Sequence, residues 1–176
     1  MNTLADKYYI KALDQYPYSL DEAIENLHYA LSHNKEHIGA NNLMGKLCLE
    51  QLNNYHDAEE YFLIALANDP ENMNVCMDYT MLLIKLKEYK KAEKLIQYAL
   101  GIKGIDISKI NGLKGLIMEH QQRYKEALKL YKAALLDAYD EERITQLNDD
   151  IKRVKMKKKM VEKSAKKNSK ESDKAA

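Results

Sequence analysis

Apolar residues recur along this chain at spacings of three and four, in blocks separated by short polar turns. That period marks one face of an α-helix. The pattern predicts helices over 4–16, 20–32, 38–52, 55–68, 73–86, 89–101, 109–121 and 124–138, with a longer helix after Asp140. Small residues fall on a fixed beat within these blocks. Ala23, Ala58, Ala92 and Ala127 lie 35, 34 and 35 apart. Seven residues on stand Ala30, Ala65, Ala99 and Ala134, each followed by leucine. Between the alanines stand Leu27, Phe62, Ile96 and Tyr131. Three before the first alanine come Leu20, Tyr55, Tyr89 and Tyr124. Upstream, Gly45, Thr80 and Gly115 repeat at 35, and Lys11 stands at that place in the first unit.

Positions i, i+4 and i+7 share a helix face, so each second helix presents small, large, small. Alanines at both ends let another helix approach to the short end of the ~8–10 Å packing range, and the large residue fills the space between. Each unit therefore reads as two antiparallel helices, and the chain as all-α, an α-solenoid of helix pairs. Thr3 with Asp6, and Ser19 with Glu22, have capping-box spacing. Pro17 and Pro70 close helices, and in "GIKGIDIS" a glycine supplies the left-handed helix ending.

The pattern resembles the tetratricopeptide repeat, a 34-residue helix–turn–helix. The resemblance rests on the small residue, the tyrosine, the paired alanines with the bulky residue between them, and Pro70. It implies four repeats near 4–36, 37–71, 72–106 and 107–140. Asn41, Cys76 and Asn111 stand where such repeats usually carry an early aromatic residue. Beyond the repeats, Ile144, Leu147, Ile151 and Val154 form a 3,4,3 stripe on a capping helix expected over 141–163. Residues 164–176 lack periodicity and are expected to be a disordered lysine-rich tail.

Composition sharpens this picture in two places. Six glycines and two prolines in 176 residues leave room for long helices and short turns. The net charge of +1 hides a division: residues 151–176 carry eleven basic and three acidic side chains, +8, which leaves the rest at −7. No apolar run is long enough to span a membrane and no leader pattern opens the chain, so a cytoplasmic protein is expected.

Chemistry is sparse. Cys48 and Cys76 sit inside apolar helical patterns and read as small hydrophobes. His33 and His37 fall in an inter-repeat turn, and His56 and His120 read as surface residues; no zinc-ligand spacing and no HExxH occurs. No phosphate loop and no nucleophile–base set is present, so neither catalytic residues, nor a metal, nor a cofactor is expected.

In proteins of the resembled family, peptides bind across the first helices. Counting from the small residue gives Tyr8, Ala12, Asn42, Lys46, Met77, Met81 and Leu116 as candidate partner-binding residues. A subfamily holds the terminal carboxylate of heat-shock chaperones with lysine, asparagine and arginine on three repeats. Only Asn42 and Lys46 match part of that set, which argues against such a ligand. The middle of the face is apolar and methionine-rich, suited to an amphipathic helix or an apolar peptide of another protein. The expected function is a non-enzymatic protein-interaction adaptor or chaperone-like scaffold. The alternative is RNA or ribosome association through the basic patch Lys152, Arg153, Lys155, Lys157, Lys158 and Lys159. Self-association of the +8 tail with the −7 body is a third route.

Overall fold

The computed structural model describes the backbone of residues 3–175 and the side chains of residues 3–164. Among these residues there is no strand. The helices are α1 (Leu4–Gln15), α2 (Leu20–His33), α3 (Ile38–Leu47), α4 (Tyr55–Asn68), α5 (Met73–Lys85), α6 (Tyr89–Ala99), α7 (Ile107–His120), α8 (Tyr124–Leu136) and α9 (Glu141–Ala175). They pack as successive antiparallel pairs: α1 with α2, α3 with α4, α5 with α6, α7 with α8, and α8 with α9. The chain forms two compact bodies, Met1–Lys103 and Gly104–Ala176. From residue 165 on, the expected disordered tail lies outside the described side chains.

The N-terminal body holds three helix pairs around a core of Leu27, Leu47, Phe62, Val75, Leu82 and the paired alanines. The repeat pattern explains why. Ala58 and Ala65 are buried, and Phe62 between them is 0 % exposed. A Cβ on Gly45 would lie 2.8 Å from the Phe62 ring, closer than carbon atoms tolerate. A Cβ on Gly115 would meet the Tyr131 ring at 3.0 Å. Where the inserted residue is the smaller Ile96, the facing position is Thr80. Small and large residues are thus matched across the second, third and fourth pairs, as close packing requires.

Buried positions fix the register of the first helices. Ala5 and Ala12 are buried seven apart, as are Ala40 and Leu47, Val75 and Leu82, and Ile110 and Ile117. Five residues after the first of each pair come Gly45, Thr80 and Gly115, and in α1 Ile10. Counted from its buried pair, the corresponding α1 residue is Ile10, which is 45 % exposed, so α1 lacks the buried small residue of the other first helices.

First helices repeat at 35 from Gly45 to Thr80, yet second helices repeat at 34 from Ala58 to Ala92. One residue too many must fit between Leu47 and Tyr55. It is absorbed by a π-helical turn, Cys48–Leu52, that ends α3. The turn closes with the Asn54 amide donating to the Cys48 carbonyl at 2.9 Å. A π turn is the usual way a helix houses a single insertion.

Turns within the repeats share one conformation. Asn53, Lys87 and Gln122 all adopt the left-handed region, at φ of 52°, 61° and 60°. The following amides of Glu88 and Arg123 reach back to the Leu83 and Met118 carbonyls, a Schellman ending built without glycine. The first repeat instead turns through Pro17, whose peptide bond is cis. Thr3 and Asp6 form the expected capping box. Ser19 makes no side-chain cap; its expected partner Glu22 accepts from the Gln15 amide instead. In "GIKGIDIS" the left-handed residue is Gly104, and Asp106 caps α7 by accepting from the Lys109 amide.

The C-terminal body is α7, α8 and the start of α9. Leu147, Ile151 and Val154 pack on Ala127, Tyr131 and Ala134. Of the stripe read from the sequence these three pack on the last pair, while Ile144 is half-buried.

Candidate functional site: the first-helix face and the basic helix

In the N-terminal body α1, α3 and α5 lie side by side, cross-linked by polar groups. His37 caps α3 by accepting the Ala40 amide at Nδ1, and its Nε2 lies 3.0 Å from Asp6 on α1. The Tyr16 hydroxyl donates to Glu50 at 2.8 Å. Burial, and then the Glu50 carboxylate, push the Tyr16 pKa up to about 12. The Lys46 ammonium sits 5.7 Å from the Tyr16 ring centroid, a cation–π contact. The Asn42 amide donates to Asp78 on α5 at 2.9 Å, and its own Oδ1 is buried without a hydrogen-bond donor.

These contacts relocate several candidate residues. Ala12 is 0 % exposed and belongs to the core, so it offers a partner no surface. Tyr8 turns toward α2: its ring stacks on Tyr29 at 5.1 Å and on His33 at 5.9 Å. Asn42, Lys46, Met77 and Met81 are half-buried. By the register above, the α1 residues equivalent to Asn42 and Lys46, and to Met77 and Met81, are Lys7 and Lys11, both exposed. The sequence signal that finds them is the seven-residue pair Ala5 and Ala12.

On α7 of the C-terminal body, Leu116 is half-buried and the equivalent of Asn42 is Gly112. The Arg143 guanidinium of α9 covers Gly112 so closely that a Cβ there would collide with it. Arg143 also donates to the Ser108 carbonyl at 3.2 Å, and the Ser108 hydroxyl to the Ala134 carbonyl at 2.8 Å. The start of α9 is thereby pinned to both helices of the last repeat.

The basic segment divides into committed and free cations. Glu119, with a side chain 2 % exposed, accepts from Arg153 Nε at 2.9 Å and Nη2 at 2.7 Å, from Lys157 at 2.8 Å and from the Tyr131 hydroxyl at 3.0 Å. Burial raises its pKa, but the Arg153 and Lys157 hydrogen bonds outweigh this and hold it at about 2. Tyr131 is driven up by burial and the Glu119 charge. In the second and third repeats the place of Glu119 is apolar: Leu49 and Ile84, both buried. An acid where the second and third repeats carry a buried aliphatic residue was the signal sequence reading missed. Lys152 pairs with Asp149 and Lys158 with Glu162. Lys155 and Lys159 have no ion pair among the described residues.

Other chemistry stays silent. Both cysteines are buried, and burial pushes each thiol up, away from the reactive thiolate. His56, Asp57 and Glu60 bring donor atoms within 4.8 Å of one another, but all three are exposed on the first two turns of α4, where Asp57 is held by the Asn54 cap. Among the described residues no helix is long and apolar enough to cross a membrane.

The class defined by this fold is an all-α chain of antiparallel helix-pair repeats. The tetratricopeptide repeat family matches residues 47–105, about a third of the chain. Human tetratricopeptide repeat protein 21B is 40 % identical over 80 residues, which are 46 % of this chain and 6 % of that protein. The chain thus spans a small fraction of that relative's length. The crystal structure of a thermophilic tetratricopeptide repeat protein from Thermus thermophilus superimposes with a TM-score of 0.68 at 19 % identity, covering 84 % of this chain and 81 % of the other. That likeness is one of fold.

Proposed function

We propose that this chain is a non-enzymatic protein-interaction scaffold that binds a partner segment on the α1–α3–α5 face of its N-terminal body. The observation that carries the reading is the contrast between a repeated frame and a variable face. Core positions repeat from pair to pair, whereas equivalent surface positions read Lys7 and Lys11, Asn42 and Lys46, then Met77 and Met81. A face that only packed repeats together would have no need to differ in this way. Its character runs from cationic on α1 to apolar on α5. The segment that fits carries acidic groups at one end and apolar side chains at the other. Methionine adapts to varied apolar shapes. A heat-shock-chaperone clamp would need polar donors where Met77 and Met81 stand.

The test compares wild type with Met77→Glu/Met81→Glu in affinity capture followed by mass spectrometry. A photo-crosslinking residue at position 81 maps the contact. Loss of a set of proteins that also crosslink at 81, with helicity unchanged, is the expected result. Capture unaffected by the double substitution would remove the face from consideration.

A further inference from the structure

We propose that the outward face of α9 is a docking surface for an anionic lipid bilayer. The proposal is independent of the α1–α3–α5 reading. Three observations converge on it. First, α9 has two faces of opposite character. Leu147, Ile151 and Val154 dock it on the last repeat. At 3.6 residues per turn, Lys152, Lys155, Met156, Lys159, Met160 and Lys163 fall within one arc of about 140° on the far side.

Second, Lys152 on this face pairs with Asp149, but the lysines beyond it carry unneutralised charge. Between Lys152 and Lys163 the only carboxylate is Glu162, which pairs with Lys158 outside the arc. Lys155, Lys159 and Lys163 succeed one another at i, i+4, where like charges repel along a helix. An anionic surface converts that repulsion into attraction. The remaining cations, Arg153 and Lys157, are held by Glu119 and set the rotation at which the face points outward.

Third, the face is not purely polar. Met156 is 62 % and Met160 68 % exposed, one turn apart among the lysines. Unbranched methionines flanked by long lysine stems suit the boundary between headgroup and acyl chain, where the stems extend their ammonium groups back to phosphates. Clusters of basic residues on an amphipathic helix are recognised by acidic lipids. Nucleic acid fits less well: the face has no aromatic ring to stack on a base, and its one arginine neighbour is already engaged.

The test is flotation of the full chain with phosphatidylcholine vesicles, with and without phosphatidylserine, alongside filter binding to poly-uridine RNA. The chain should float with the acidic vesicles, remain behind with the neutral ones, and lose binding as salt rises. Lys155→Glu/Lys159→Glu/Lys163→Glu should reduce partitioning by at least ~100-fold. Met156→Ser/Met160→Ser should reduce it by ~10-fold without altering the salt dependence. None of these residues contacts Glu119, and unchanged circular dichroism confirms the fold in each variant. Absence of flotation with acidic vesicles, equal flotation with neutral ones, or RNA binding tighter than lipid binding and indifferent to the methionine change would each overturn the proposal.

Discussion

Replacing Glu119 with glutamine removes one negative charge from a site with three hydrogen-bonding partners and leaves its shape intact. Its ordinary pKa of 4.5 falls to about 2 in the folded chain. A tenfold change in acidity corresponds to ~1.36 kcal/mol, so the charged form is favoured by ~3 kcal/mol. Arg153 and Lys157 are 40 % and 48 % exposed, and water screens their share, which brings the working value nearer ~2 kcal/mol. The sign follows from the depressed value. Stabilisation is complete above the unfolded pKa of 4.5 and is lost as pH falls toward 2. Urea unfolding by circular dichroism, with hydrogen exchange of α9 amides as the local readout, compares Glu119→Gln with wild type from neutral pH downward. The variant should lose ~2 kcal/mol near pH 7, expose α9 amides first, and converge on wild type in strong acid. Equal stability at neutral pH, or an unchanged difference between the two at low pH, would show that Glu119 does not hold α9.

Other outcomes follow from the repeats. Lys87→Gly and Gln122→Gly relieve left-handed strain at exposed turns and should each raise stability by up to ~1 kcal/mol in urea unfolding; a loss would mean that the lysine and glutamine stems contribute packing. Gly45→Ala should cost ~1–3 kcal/mol, because its Cβ meets the Phe62 ring, and adding Phe62→Leu should recover part of that; additive losses in the double variant would contradict the matched-volume account. Deleting Leu52, an exposed residue of the π-helical turn, should restore an ordinary α-helical ending at a cost under ~1 kcal/mol, read from the thermal midpoint. A severe loss of folding would mean that the turn carries more than a spare residue.

Helix positions were legible because burial imposes periodicity on the sequence. The paired alanines, the bulky residue between them and the small residue opposite recur, since each helix pair solves the same packing problem. Even the π-helical turn is implied by the mismatch of 35 and 34. In α1 the count from the paired alanines served least well: Ala12, counted as a surface residue, is buried. A slip of one residue rotates a helix position by about 100°, enough to exchange surface for core.

The basic helix marks the other boundary. Its charge, and the stripe that docks it, are properties of composition and spacing, and the sequence determined both. Which cations stay free is decided by distances between residues more than thirty positions apart, because an ion pair forms only where the fold brings charges into contact. Glu119 reaches Arg153 and Lys157 across α7 and α9, leaving Lys155 and Lys159 facing water. Local pattern thus fixes which helices form and which faces they bury. The tertiary structure decides how each surface charge is spent, since that depends on neighbours the sequence does not place side by side.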